Sequence, residues 1–274
     1  MRKVMHISDL HFGRVDPAVV TALREIGQRL SPHLIAVSGD LTQRARKREF
    51  VAAREFLDSL AAPKIVVPGN HDVPLYNVVA RFLTPLKRFR QYVAYEVEPA
   101  FVDDEIAVAG INTARSLAFK GGRINRDQVK RVLEIFCEIP DERIRILVTH
   151  HPFDLPDADD GNERVGRAKM AMASLRECLP DLLLAGHVHQ HGIGTTAESY
   201  DLGGRSAIVV QAGTATSTRR RGATNSFNLI RIDRSDIAIE RFDWSLPRKT
   251  FEIEATYRFT RRDGAWTEAN IPTK

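Results

Sequence analysis

The sequence predicts an α/β fold in which strands alternate with helices and a second sheet packs on the first. Three observations carry that reading. Short apolar runs of strand length alternate with longer amphipathic segments through the first two thirds of the chain, and polar, glycine-bearing turns follow the runs. Beyond residue 192 the helical period is lost and short alternating stretches take over.

Taken in order, "KVMHIS" (3–8), "LIAVS" (34–38), "KIVV" (64–67), "IAVAGI" (106–111), "IRILVT" (144–149) and "LLLA" (182–185) read as strands. Between them, residues 17–30, 48–60, 126–139 and 167–178 carry the helical period, and Asp16 before Pro17 is a helix-start signal. Residues 73–100 form an irregular helical excursion, and 151–165 a polar loop rich in Pro, Asp and Gly. After residue 192, "SAIVVQAG" (206–213), "SFNLIRID" (226–233), "IAIERFDW" (237–244) and "FEIEATYRF" (251–259) read as consecutive antiparallel strands. No linker, repeat or low-complexity segment interrupts the chain. Residues 1–274 are therefore expected to be one domain, with 1–192 as its motif-bearing βα part and 193–274 as mainly antiparallel strands of the second sheet.

A hydrophobic fraction of 43% with 27% charged residues excludes disordered and collagen-like classes. The formal charge of +5, from 40 basic and 35 acidic residues, is too mild to argue for nucleic acid, which is a possible but not a favoured partner. The basic runs "RARKRE" (44–49) and "TRRRG" (218–222) are read as solvated faces. Cys137 and Cys178 lie in helical segments with no CxxC and no nearby partner, so both are expected to be buried, reduced thiols of a cytoplasmic protein. "MRKVMHISDL" reaches His, Ser and Asp before an apolar run forms, so no signal peptide is expected. No stretch approaches the roughly 18 apolar residues of a membrane span.

The chemistry gathers at the ends of the strands. "HISDLHFG" supplies Asp9 and His11, two apart and therefore on one side of an extended backbone. "VSGDLTQ" supplies Asp40, and "VVPGNHDVP" supplies Asn70, His71 and Asp72. "LVTHHPF" supplies His150 and His151, and "GHVHQHG" supplies His187, His189 and His191. Side chains just past the carboxyl ends of strands in an α/β sheet converge on one crevice. Mixed oxygen and nitrogen donors without sulfur suit Mn, Fe, Zn or Co and are poor for a structural zinc site. There are more donors than one ion needs, which points to two divalent metal ions about 3.5–4 Å apart. A carboxylate can bridge such a pair and an imidazole cannot, so Asp40 is the expected bridge, with Gly39 turning the backbone before it.

The ordered series "DLH", "GDLT", "GNHD", "THHP" and "GHVH", spread over residues 9–189, resembles the calcineurin-like metallophosphoesterases, and within them the bacterial branch that includes class III cyclic-nucleotide phosphodiesterases. The resemblance implies a four-layer αββα sandwich of two mixed β-sheets flanked by helices. It places Asp9, His11, Asp40 and His189 on one metal, and Asp40, Asn70, His150 and His187 on the other. It makes His71 the catalytic histidine, with Asp72 orienting its ring. It further implies a phosphoric diester hydrolase acting on small phosphodiesters, with 3′,5′-cyclic nucleotides the leading expectation, by attack of a metal-activated hydroxide on phosphorus.

Other branches are weighed against the same motifs. The phosphoprotein phosphatases read "GDxxDRG" and "GNHE" where this chain has "GDLTQRA" and "GNHD"; hydrolases of lipid A precursors often replace the third-motif histidine, which is present here as His71. Phosphomonoesters, glycerophosphodiesters, lipid-linked pyrophosphates and DNA are the alternative substrates. A non-catalytic scaffold would have lost ligands, and none is lost.

The remaining candidates are weaker. Asn70 and His71 lie where a substrate would, Arg115 and Arg123 can each hold a phosphate through a bidentate guanidinium, and His151 and His191 are open between substrate contact and support. His6 reads as a core or edge histidine and His33 as a turn residue. "GTATSTRRRG" (213–222) lacks P-loop spacing.

Overall fold

Alternation along the strands builds the layers. In β2 (Leu34–Ser38), Leu34 and Ala36 join one buried cluster while Ile35 and Val37 join another, so both faces of the strand are covered. The computed structural model of the protein describes residues 1–116, 121–155, 164–218 and 223–269. Residues 117–120, residues 156–163 of the polar loop, residues 219–222 of the second basic run and residues 270–274 lie outside the described residues.

The first sheet contains β1 (Arg2–Ile7), β2, β3 (Lys64–Val67), β10 (Ser226–Asp233), β11 (Asp236–Ser245), β12 (Thr250–Arg262) and β13 (Ala265–Glu268), in the order β13-β12-β11-β10-β1-β2-β3. The second contains β4 (Ala100–Val102), β5 (Ile106–Ile111), β6 (Ile144–Thr149), β7 (Leu182–Ala185), β8 (Gly192–Thr195) and β9 (Ile208–Gln211), in the order β4-β5-β6-β7-β9-β8. One core lies between the sheets, where Val4, Ala36 and Ile230 share a cluster with Val108, Ile146 and Leu184. A second packs α1 (Pro17–Leu30) and α2 (Lys47–Asp58) on the first sheet through Leu23, Phe50 and Phe56. A third packs α5 (Arg126–Phe136) and α6 (Ala168–Leu175) on the second through Val132, Phe136 and Met172. These are the four layers the motif series implied.

The helix starts obey local chemistry. The Asp16 carboxylate accepts from Ala18 N at 3.0 Å ahead of Pro17. Asn125 and Gln128 each accept the other's backbone N–H at 2.9 Å, a capping box that opens α5. The helical excursion is α3 (Val78–Leu83) and α4 (Lys87–Tyr92).

The division into sheets differs from the sequence reading. Residues 226–268 do not extend a second sheet: β10 pairs antiparallel with β1, from Arg2 with Ile232 to His6 with Asn228, so the last four strands complete the first sheet. β9, read as antiparallel to its successor, instead pairs parallel with β7. Strand pairing is a long-range choice that the alternating pattern of a single strand does not encode.

The cysteine expectation is also corrected. Cys137 and Cys178 form a disulfide with Cα atoms 5.3 Å apart, and Cys137 is exposed. Cys137 follows the end of α5 and Cys178 lies three residues past α6; the two helices pack side by side, which closes a separation of 41 residues. The cytoplasmic expectation loses the support it drew from reduced thiols. No helix among the described residues is long and apolar enough to cross a membrane.

His6, on β1, is fully buried with Nε2 2.9 Å from Ser38 Oγ, and burial lowers its pKa from 6.5 to about 3. The unfolded chain therefore takes up this proton first as the pH falls, so stability should decline between pH 6.5 and about 3. The contribution of one such histidine is up to about 1.4 kcal/mol per pH unit. Urea titrations across this range should show a shallower acid limb for His6→Gln than for the parent; equal slopes would mean that His6 is not held neutral.

Candidate metal centre

Parallel pairing sets the site. β1, β2 and β3 run parallel in one sheet and β5, β6, β7 and β9 in the other, so their carboxyl ends lie together at one edge. Asp9, His11, Asp40, Asn70, His150, His187 and His189 all leave from those ends. Their donor atoms form overlapping groups, each within 4.8 Å: Asp9 with His11 and His189; Asp9 with Asp40 and His150; His11 with Asp40 and His71; His150 with His151 and His187.

Asp40 stands between the two expected ligand sets. Its Oδ2 lies 3.8 Å from His11 Nε2 and its Oδ1 lies 3.4 Å from His150 Nε2, while Oδ1 also accepts from His71 N at 2.8 Å. On one side, Asp9 Oδ1 lies 3.5 Å from His11 Nε2 and 3.6 Å from His189 Nδ1. On the other, Asn70 Oδ1 lies 3.0 Å from His150 Nε2 and 3.1 Å from His187 Nδ1.

The donor set fits divalent cations. Asp9 Oδ1 is buried and accepts no hydrogen bond, although it faces two imidazoles. Burial pushes the Asp9 carboxyl up, but His189, His11 and His150 outweigh it and hold Asp9 well below the usual carboxylate range. Burial likewise opposes ionisation of Asp40, and His150, His71 and His11 overcome it. Burial, reinforced by His150, lowers His187 to about 3, which keeps the ring neutral and its lone pair available. His150 Nδ1 donates to the Ser38 carbonyl at 2.8 Å, leaving Nε2 as the donor atom toward Asp40 and Asn70.

The backbone that presents these groups is unusual. Asp9, His11, Asp40, His187 and His189 all have left-handed φ values, from 49° at His11 to 78° at His187. This corrects the reading of Asp9 and His11 as neighbours on an extended strand: β1 ends at Ile7, and left-handed turns aim the two side chains. The expected turn at Gly39 is present, with φ +91°. Gly186 admits Asp9, since a Cβ there would meet Asp9 Oδ2 at 2.6 Å as well as Ser8 Oγ.

Asp72 has a different task from the one the motif implied. Its carboxylate accepts from Leu41 N (3.2 Å), Thr42 N (2.9 Å), Thr42 Oγ1 (2.9 Å) and Gly69 N (3.0 Å), tying the turn after β2 to the turn after β3. Burial first, and the nearby Asp40 charge second, raise its pKa to about 6. The half-buried His71 ring is instead oriented by Nδ1 donating to the Gln43 carbonyl at 2.9 Å.

The weaker candidates divide. His151 is buried, with Nδ1 2.8 Å from Thr113 Oγ1, its ring 4.4 Å from that of His187 and the backbone of Gly122 against it. His191 is exposed, and its Nε2 accepts from the Arg241 guanidinium, whose Nε lies 3.1 Å from Asp243 Oδ1. Arg123 is placed by its N–H donating to Thr113 O and by its bridge to Gly166, the neighbour of Arg167. Burial, and then the charges of Arg123 and Arg167, lower the Arg115 pKa.

Supporting residues that the sequence did not disclose are Gln43, which aims His71; Thr214, whose Oγ1 is 2.8 Å from His189 Nδ1; Thr113, which holds His151; and Arg167. The hydroxyl run after β9 was the one signal for Thr214.

A Cβ on Gly69 would run into the Asp40 carboxylate and backbone N. Gly69→Ala should therefore displace Asp40 and cut bound metal to less than half, read by elemental analysis of the purified variant; full metal content would show that the turn can yield.

The family model described as calcineurin-like phosphoesterase matches residues 2–191. A probable glycerophosphodiester phosphodiesterase, GpdQ, from Arcobacter nitrofigilis is 24% identical over 207 residues, covering 68% of this chain and 71% of that protein. A dimetal phosphatase from Danio rerio superposes with a TM-score of 0.66 over 88% of this chain and 95% of its own, at 12% identity. Purple acid phosphatase PPD1 from yellow lupin, Lupinus luteus, gives 0.70 over 96% of this chain and 54% of its own, at 11% identity. The two structures share the fold.

Proposed function

This chain belongs to the calcineurin-like phosphoesterase family, and we propose that it hydrolyses small phosphodiesters at a dinuclear centre, with Asp40 shared between the two ions. The observation that carries the reading is the division of ligands about Asp40: Asp9, His11 and His189 beyond Oδ2, Asn70, His150 and His187 beyond Oδ1. Two divalent cations supply acidification of water and neutralisation of charge on the phosphoryl oxygens.

The chain's own groups do the rest. Asn70 contributes a neutral carbonyl oxygen, which limits the negative charge facing an anionic diester. His71, its Nδ1 proton committed to Gln43, can carry a second proton at Nε2 and deliver it to a phosphoryl oxygen or the departing alkoxide. Arg115 and Arg123, joined by Arg167, offer guanidinium groups to phosphate oxygens. His151, clamped by Thr113, supports the His187 ring, and His191 belongs to the rim. The name of the Arcobacter relative supports a diester substrate. Glycerophosphodiesters and 3′,5′-cyclic nucleotides are the two classes to separate, and manganese, iron, zinc and cobalt all suit the donors.

Bis(p-nitrophenyl) phosphate should be turned over with Mn²⁺ and not after chelation; inactivity with several metals would sink the enzymatic reading. A panel of cyclic nucleotides, glycerophosphodiesters, single-stranded DNA and phosphomonoesters then ranks substrates by kcat/KM.

His71→Ala should keep its metal and lose roughly 10²–10⁴-fold in kcat, whereas Asp40→Ala should lose metal from both positions. Equal metal loss in the two variants would contradict this assignment of roles.

A further inference from the structure

Large apolar side chains are not scattered evenly over this surface. Of the ten that stand exposed among the described residues, six fall within 76–95: Tyr76, Val78, Val79, Phe82, Leu83 and Tyr95, each between 52% and 76% exposed. Four of them lie on α3, whose opposite side is pinned by Arg81. That side chain is 3% exposed and donates to the carbonyls of Ser116 at 2.6 Å and Pro74 at 3.1 Å. The buried arginine fixes the helix on its inner side and leaves a ridge of aliphatic and aromatic groups facing outward. Contiguous exposed apolar surface of this kind marks a contact face.

The rim of the ridge is cationic. Apart from the buried Arg81, residues 73–95 contain Lys87, Arg88 and Arg90, all exposed, and no acidic residue. Arg44 lies over the Tyr76 ring at 5.3 Å, Lys47 over Tyr92 at 5.9 Å and Arg90 over Tyr95 at 5.5 Å, so the aromatic groups and the positive charges are interleaved. The ridge begins four residues after Asp72, and Arg44 adjoins the Gln43 that aims His71, which puts this face at the border of the candidate metal centre.

We propose that this face docks the protein on an anionic lipid surface, with the α3 ridge entering the boundary between headgroups and acyl chains and the basic rim meeting lipid phosphates. Aromatic and aliphatic groups on one side with lysine and arginine around them are the composition of peripheral membrane contacts. Each Lys or Arg near such a surface adds to the attraction for lipid phosphates. A second copy of the chain is a poorer occupant: a two-fold contact would set basic rim against basic rim, and the chain as a whole carries +5. If the phosphodiesterase reading holds, the metal centre then meets diesters at headgroup level; the docking itself does not rest on that reading.

The full chain, loaded with Mn²⁺, is sedimented with phosphatidylcholine vesicles with and without phosphatidylglycerol, at low and high salt. The protein should pellet with the anionic vesicles and be released by salt. Phe82→Ser combined with Leu83→Ser should weaken partitioning about tenfold or more, and Lys87→Glu combined with Arg90→Glu should remove the preference for phosphatidylglycerol, both with the parent's melting temperature. Absence from the phosphatidylglycerol-containing pellet, or equal binding to both kinds of vesicle, overturns the proposal. So does a parent dimer in light scattering that the double serine variant turns into a monomer. Hydrolysis of bis(p-nitrophenyl) phosphate without vesicles is read separately. Binding without hydrolysis defeats only the enzymatic reading, and hydrolysis without binding only the docking.

Discussion

The carboxylate of Asp40 is the constraint on which the rest of the site depends. It is buried, is held ionised by the imidazoles around it, and turns one oxygen toward His11 and the other toward His150. Nearly every local peculiarity around it serves that end. Gly39 turns at positive φ with the His150 ring packed where its side chain would be, Gly69 leaves room for the carboxylate, and the N–H of His71 holds Oδ1. Asp72 then ties both turns together through four hydrogen bonds. A carboxylate buried among other carboxylates is costly unless cations or donors compensate it. The surrounding imidazoles and backbone N–H groups supply part of that compensation, and divalent cations would complete it.

The scaffold's contribution is rigidity. Strands covered on both faces bring seven donors from separate parts of the chain to one edge, and the inter-sheet core that fixes their relative height is mostly Val, Ile and Leu, with Phe259 and Trp266. Left-handed residues at five of the candidate ligand positions persist only on such a frame, because an isolated loop would relax out of them. The loop after β9 closes the arrangement: Ala215 N donates to Ser8 O, Thr216 Oγ1 to Leu10 O, and Thr214 meets His189. A segment without a ligand of its own thus holds the turn that carries Asp9 and His11.

The surface shows the opposite economy. Val78, Val79, Phe82 and Leu83 stand exposed on α3, while its inner side is held by a buried arginine, so the same helix is both anchored and presented. In this six-residue helix the polar anchoring points inward and the apolar groups point outward. On this view the basic residues that give the chain its positive balance belong to a functional face as well as to solubility.

Much of this was legible in the sequence because it is local. The strands at 34–38, 64–67, 106–111, 144–149 and 182–185 and the helix at 17–30 have the predicted bounds, since apolar period, proline and N-cap act within a few residues. That Asp9, His11, Asp40, Asn70, His71, His150, His187 and His189 gather in one place was legible because side chains at strand ends meet whatever the detailed packing. What stayed hidden depends on contacts between distant residues. No pattern within β10 names β1 as its partner, no spacing joins Cys137 to Cys178, and nothing in "GDLTQ" says that the Gln43 carbonyl aims His71. Residue types and their order determined the chemistry available; the packing of two sheets decided which atoms face one another, because through-space pairing is fixed by the whole core and not by any one segment.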